Sequence, residues 1–274
     1  MKSYKKLIQP YVIWISIFLV VPMLLILLYA FTSQGNDVMT FHFTFENFIR
    51  FFQDNVFLGV LIDSFRIALI TTVICILIGY PAAYLISKMN VKHNGFFILL
   101  ITLPMWINML VRTYAWIGIL NDNGVINNIL SFFGVGKVHM IHTEFAVILG
   151  MVYNFLPFMI LQIHSSLAKL DKSLLEASSD LGATPFETFK KVIFPLSLPG
   201  VISGITLVFL PAVSSFFIPK LLGGGQLLIG NLIENYFVST GDWNFGSAIS
   251  LIMALLIMVS MYLTKRLDKN GGDS

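Results

Sequence analysis

The sequence predicts an all-α protein that spans a membrane six times, and three observations carry that prediction. Of 274 residues, 57% are hydrophobic and 11% are charged, far from the roughly 45–50% apolar and 25% charged balance of soluble domains. The apolar positions gather into six stretches of about 20 residues, the length a helix rising 1.5 Å per residue needs to cross roughly 30 Å of hydrocarbon. Lys and Arg sort unevenly between the two alternating sets of loops, as expected where a membrane separates two unlike sides. Mean hydropathy is +0.84, and 25 Phe and 12 Met suit apolar surroundings. The one cysteine, Cys75, lies inside an apolar run, which excludes a disulfide-built domain and favours a buried, inert thiol. A net charge of +3 does not mark a nucleic-acid binder.

The spans fall at about residues 11–31, 67–87, 96–117, 145–165, 196–219 and 245–264. The first follows Lys2, Lys5 and Lys6; it is longer than the roughly 7–15 apolar residues of a signal peptide and lacks a small-x-small cleavage site, so it reads as a retained anchor. Six spans place both termini on one side. That side collects twelve basic residues (Lys2, Lys5, Lys6, Lys88, Lys92, Lys169, Lys172, Lys190, Lys191, Lys265, Arg266 and Lys269) and six acidic ones. The other holds Arg50, Arg66, Arg112, Lys137 and Lys220 against Asp37, Glu46, Asp54, Asp63, Asp122, Glu144, Glu234 and Asp242. The basic side is therefore cytoplasmic, and the outer mouth is mildly anionic.

Three outer connections, about 32–66, 118–144 and 220–244, exceed the 2–8 residues usual between bundled helices, so something docks on them or passes through them. Within the first, residues 41–52 (FHFTFENFIRFF) read as an interfacial segment lying flat at the headgroups. Arg112, near the outer end of span three, is expected to snorkel, and Gly200-x-x-x-Gly204 permits close helix contact. The whole of 1–274 reads as one membrane domain with a short polar tail at 270–274.

Residues 170–200 (LDKSLLEASSDLGATPFETFKKVIFPLSLPG) specify two short helices around a turn. Asp171 can cap the first, which runs through Leu174, Leu175, Ala177, Ser178 and Leu181 to a left-handed stop at Gly182. Thr184-Pro185-Phe186-Glu187 then has capping-box spacing with proline at the first helical position. The second helix carries Phe186, Phe189, Val192 and Ile193 on one side and Lys190 and Lys191 on the other, and Pro195 and Pro199 are expected to break it before the next span. Such an elbow is a docking device; an amphipathic linker lying on the membrane fits the periodicity equally well.

Glu176-Ala177-Ser178, then Gly182, then Val192-x-Phe194-Pro195 resembles the EAA loop of the permease subunits of bacterial ABC importers: Glu-Ala-Ala, three residues, Gly, nine residues, Ile-x-Leu-Pro. Spacing matches throughout; Ser178, Val192 and Phe194 are mild departures. Further landmarks are LIGYPAAYLISK (77–88), LPMWINMLVRTYAW (103–116), LDKSLLEA (170–177), LPGVISG (198–204) and GDWNFG (241–246), which resemble the polyamine (spermidine/putrescine) branch of that family. The resemblance implies a type I importer permease (MetI-like) fold in a bacterial inner membrane, both termini cytoplasmic. It also implies that the 166–195 loop docks in a groove of a cytoplasmic ATPase, with Glu176, Ala177, Asp180, Gly182, Ala183 and Pro195 as coupling residues. The implied partners are a homologous second permease subunit, two ATPase subunits that bind ATP and Mg, and an extracytoplasmic polyamine-binding protein. This chain would then need no cofactor and no catalytic residues, and the direction would be uptake.

A polycation needs carboxylates for its ammonium groups and aromatic faces for cation–π contact. Asp63, Asp122, Glu144, Glu234 and Asp242 supply acids near the outer ends of the spans, and Trp106, Tyr114, Trp116, Phe216, Phe217, Tyr236 and Trp243 supply rings. Each acid alone also fits a solvated loop. Pro211, Ser214, Ser215 and Pro219 are expected to interrupt span five and line a pathway, with Phe216 and Phe217 as a hydrophobic gate. Lys220 and Glu234 are expected to pair at that gate across Gly223-Gly224-Gly225, an ordinary surface pair being the plain alternative.

Other classes fit less well. Gly134-Val135-Gly136-Lys137 lacks the earlier Gly and the following Ser/Thr of a phosphate-binding loop, and His139 and His142 lack a third metal ligand. An ion-coupled secondary transporter would need a carboxylate deep in a span, and a membrane-embedded enzyme would need a clustered nucleophile and base. Within the importer reading, an opine, another organic cation or a metal complex stays open as cargo.

Overall fold

The computed structural model of the chain describes residues 2–33 and 42–272. Asp37, Phe41 and positions 273 and 274 of the polar tail lie outside the described residues. In chain order the helices are α1 (Ile8–Ala30), α2 (Glu46–Gln53), α3 (Asn55–Ser87), α4 (Val91–Thr102), α5 (Met109–Leu120), α6 (Val125–Phe132), α7 (Glu144–Leu167), α8 (Lys172–Asp180), α9 (Pro185–Ser214), α10 (Phe217–Leu222), α11 (Ile229–Asn235) and α12 (Trp243–Gly272). Among the described residues α1, α3, α7, α9 and α12 are each long and apolar enough to cross a membrane. A sixth span counts if the pair Val91–Trp106 and Met109–Phe132, bent by 93°, is taken as one.

That bend corrects the straight third span expected at 96–117. Pro104 lies in a single tight turn, Leu103–Trp106, and Ile107 follows in an extended conformation with ψ 137°. Asn108 then restarts the helix, its side-chain oxygen accepting the Leu110 N–H at 2.8 Å, the standard exchange of a freed backbone donor for a capping oxygen.

The opposite correction applies to span five. Pro195 and Pro199 do not break the chain; one helix runs from Pro185 to Ser214. A wide π-turn at Phe189–Ile193 precedes Pro195, so the missing proline N–H falls where the hydrogen-bond ladder is already rerouted. Ser197 Oγ returns a donor to the Phe194 carbonyl at 2.9 Å, as hydroxyls do beside prolines in membrane helices. Pro211 is likewise inside the helix, and the interruption comes only at Ser215.

The chain separates into two compact units, Met1–Leu61 with Leu232–Met258, and Ile62–Asn231 with Val259–Ser274. In the first, none of the most apolar window of α1 is buried within the chain; the helix is held at its C-terminal end. Asn47 donates its amide to the carbonyls of Ala30 (3.1 Å) and Thr32 (3.0 Å). Asn244 donates to the carbonyls of Tyr29 (3.0 Å) and Thr32 (2.9 Å) and to Thr32 Oγ1 (2.9 Å). Two amides thus satisfy carbonyls a helix end leaves open. The predicted interfacial segment contains α2, whose Phe51 is fully buried while Phe52 faces outward.

In the second unit α7 is the core, with 61% of its apolar window buried. It packs along α9 through two glycines. A Cβ at Gly200 would stand 2.5 Å from Ser166 Cβ and 2.7 Å from the Gln162 carbonyl oxygen, and one at Gly204 would stand 2.5 Å from Met159 Sδ. The small-x-x-x-small spacing therefore lets two backbones approach, as it does between membrane helices generally. Arg112 departs from expectation: its Nε and Nη1 are buried and meet no acceptor among the described residues. An arginine at the mouth of a straight span could snorkel, whereas α5 lies beyond a right-angled bend.

Candidate functional site

The elbow forms largely as its caps dictate. Asp171 accepts the Ser173 N–H at 3.0 Å and opens α8, and this bond holds the carboxyl below its ordinary range. Gly182 has φ +76°, a left-handed stop that glycine adopts without steric cost. The Thr184–Glu187 capping box is complete: Glu187 accepts the Thr184 N–H at 3.0 Å and Thr184 Oγ1 accepts the Glu187 N–H at 3.3 Å.

One bond across the elbow joins its two arms. Ser178, buried, and Thr188, half-buried, share a hydroxyl hydrogen bond of 2.8 Å. Ser178 is the position that departs from the second alanine of the EAA pattern, and the partner ten residues away explains the hydroxyl. Below the second arm, Tyr80, Tyr84, Phe189 and Phe194 make an aromatic cluster with centroid separations of 5.4–6.3 Å, and Tyr80 bonds Ser197 at 2.8 Å. The elbow is thus clamped to α3 and continuous with α9.

Its outer surface is apolar and acidic together. Leu181 is 88% and Phe186 72% exposed, and Glu176, Ala177, Asp180 and Gly182 are exposed beside them. Ala183 is half-buried and Pro195 exposed. A concavity of about 460 Å³ between the arms is lined by residues that include Leu174, Ser178, Ala183 and Lys191. Phe186 does not share one side with Phe189 and Ile193 as expected: it stands outward in the first turn while they turn in. Large exposed hydrophobics rimmed by charge mark a protein-docking surface.

The residues expected along a cation pathway scatter. Phe216 and Phe217 stack at 3.9 Å between centroids where α9 ends, and Asn231 holds the Phe216 carbonyl at 2.7 Å. Lys220 closes α10, exposed; Glu234 lies in α11, half-buried. Trp106 is 87% exposed at the bend, and Tyr114 is exposed on α5; Trp116 packs edge-on against Tyr153. Two acids already hold an internal cation, since Arg66 bridges Glu144 at 2.6 Å and Asp63 at 3.4 Å. Asp122 meets His139 at 2.9 Å, and no cluster of three metal-ligating side chains occurs among the described residues.

Asp242 is buried, its Oδ1 accepting the Phe245 N–H at 3.0 Å and its Oδ2 meeting Arg50 Nη1 at 3.2 Å. The Arg50 guanidinium lies over the Phe245 ring, 4.1 Å from its centroid, and 5.9 Å from that of Tyr236. Trp243 stands next to it, edge-on to Tyr29 and Phe237. Sequence reading missed Arg50 because its partner lies 192 residues away; only the aromatic-rich setting of α2 pointed to it.

A multi-pass helical chain with a capped elbow feeding one long span has the fold of importer permeases seen in solved structures. The fold superposes on a bacterial alginate ABC transporter with a TM-score of 0.82, 16% identity, and coverage of 99% of this chain and 96% of that one. The inward-facing MetNI methionine ABC transporter superposes with a TM-score of 0.58 and 16% identity over 78% of this chain and 95% of that one. Residues 1–270 match the family described as binding-protein-dependent transport system inner membrane component, and the chain belongs to that family. It is 41% identical to the spermidine/putrescine transport system permease protein PotB of Haemophilus influenzae, over 93% of this chain and 92% of that one. It is 38% identical to PotB of Escherichia coli, over 93% and 96%.

Proposed function

We propose that this chain is the permease subunit of an ATP-driven polyamine importer, forming half of the translocation pathway beside a homologous second permease. Two ATPase subunits bind ATP and Mg and hydrolyse the ATP; an extracytoplasmic binding protein delivers spermidine or putrescine. The charge distribution orients the elbow and both termini to the cytoplasm.

The observation that carries the reading is the unbroken helix Pro185–Ser214. It starts at the elbow and ends beside Phe216 and Phe217, about 45 Å away at 1.5 Å per residue. Closure of an ATPase dimer on Leu181, Phe186, Glu176 and Asp180 moves a rigid lever, and the far end of that lever is the aromatic pair that gates the path. Ala177, Gly182 and Ala183 keep the contact surface close to the backbone, and Pro195 sits where the lever leaves the elbow.

Reconstitution with the ATPase and binding protein tests this. Spermidine is expected to stimulate ATP hydrolysis several-fold and to accumulate in proteoliposomes. Stimulation absent across polyamines would overturn the substrate, and Asp180→Lys with undiminished stimulation would overturn the coupling surface.

A further inference from the structure

Beside Asp242 the first unit already binds a cation of its own. The carboxylate is 8% exposed, whereas the Arg50 side chain that reaches it is 49% exposed. The pair is single-pointed: Arg50 contributes Nη1 alone, to Oδ2, while Oδ1 accepts the Phe245 N–H. The two-pronged geometry that makes arginine–carboxylate pairs strong is not formed here. What remains is one carboxylate oxygen and the face of one ring, with Tyr236 edge-on to Phe245 at 4.8 Å and Phe57 beside it at 5.1 Å. Such a box suits a compact ammonium at least as well as a planar guanidinium.

Arg50 is also half of a doorway. It lines an open groove of about 730 Å³ with Glu46, Ile49, Gln53, Asp54 and Asn55. Neither Glu46 nor Asp54 forms an ion pair among the described residues. Arg50 thus links this groove to Asp242. Glu46 and Asp54 lie at opposite ends of α2, roughly 12 Å apart along its axis at 1.5 Å per residue. Two spaced acids along a groove whose arginine reaches an aromatic-walled carboxylate are complementary to a flexible chain with an ammonium at each end.

We infer that Asp242, Phe245 and Tyr236 form a site for a primary alkylammonium, and that Arg50 is its resident cation, displaced when one end of a linear polyamine enters. The inference rests on the polyamine-importer reading and adds to it a binding site and an exchange step. Arg50 keeps the buried carboxylate neutralised between cargo molecules, which spares the fold an unpaired buried charge.

The test is equilibrium binding of labelled spermidine to the permease–ATPase complex in nanodiscs without binding protein. Wild type, Arg50→Gln, Asp242→Asn and the double variant are compared, with thermal unfolding midpoints measured for each. Arg50→Gln is expected to bind spermidine about tenfold tighter, a difference of about 1.4 kcal/mol; Asp242→Asn is expected to lose the binding, and the double variant to match Asp242→Asn. Arg50→Met, which keeps the side-chain stem against Phe245, carries the same expectation and serves if Arg50→Gln does not fold. A folded Arg50 variant that binds no tighter than wild type, or Asp242→Asn binding at wild-type strength, overturns the exchange. Spermidine-stimulated ATP hydrolysis by the wild-type complex with its binding protein is measured in parallel. Stimulation without tighter binding sinks the exchange and leaves the importer, whereas no stimulation sinks the importer itself.

Discussion

Helix α9 and the α4–α5 segment both contain proline, and they end up as opposites. Four prolines, Pro185, Pro195, Pro199 and Pro211, sit in α9, which stays continuous for 30 residues. A single one, Pro104, accompanies a 93° bend between α4 and α5. Proline count does not decide the outcome; the fate of each lost donor and the packing alongside do. In α9, Pro185 follows a cap, Pro195 follows a π-turn, and Gly200 and Gly204 seat the next two turns against α7. Around Pro104 the neighbours Leu103, Trp106 and Ile107 are exposed, and Asn108 offers a new helix start.

Removing the seat should have the largest effect. Gly200→Leu drives a side chain into Ser166 and the Gln162 backbone, and overpacking of this kind costs about 1–3 kcal/mol and more where backbone blocks the way; loss of monodisperse protein on size exclusion is the expected result. A well-behaved Gly200→Leu permease with an unchanged melting point would show that α9 does not need α7 to stay whole. Asn108→Ala removes the cap at the restart and should lower stability by about 1 kcal/mol, seen as a lower melting temperature and faster amide exchange at residues 109–112. Pro195→Ala should shift stability by less than about 1 kcal/mol, well short of the roughly 3 kcal/mol of a proline in an ordinary helix interior, because the π-turn before it has already rerouted the ladder.

The smallest effect concerns pH at the elbow. The Asp171 carboxyl is held below its ordinary value of 3.8 by the Ser173 N–H. Its contribution is therefore complete above pH 3.8 and fades as the pH falls through the lower, folded-state value. Asp171→Asn keeps an acceptor and should remove that acid sensitivity from α8 helicity, measured by amide exchange on the elbow between pH 3 and pH 5.

Features encoded within a few residues were legible in the sequence. Asp171, Gly182 and the Thr184–Glu187 box act on their own backbone, so composition and spacing suffice to read them. Gly200 and Gly204 were legible as a pair, though not their partner helix. The unbroken α9 was not, because a π-turn changes which carbonyl lacks a donor and no residue type announces one. Ser178 looked like a mild departure until Thr188 appeared opposite it. The ties of Arg50 to Asp242 and of Arg66 to Glu144 span 192 and 78 residues, beyond any local pattern, and they place two of the expected cargo acids in internal pairs.

The end of α1 carries a timetable. Its open carbonyls receive one amide from Asn47, 15–17 residues on, and the other from Asn244, 212–215 residues on. A ribosome adding about 5–20 residues per second supplies the first within a few seconds and the second only after roughly 10–40 s. During synthesis, then, the nascent first span is provisionally fastened by a near neighbour and finally locked by α12, about 200 residues later. A variant at Asn47 should expose that interval, lengthening the time the young chain stays sensitive to protease without much altering the finished protein.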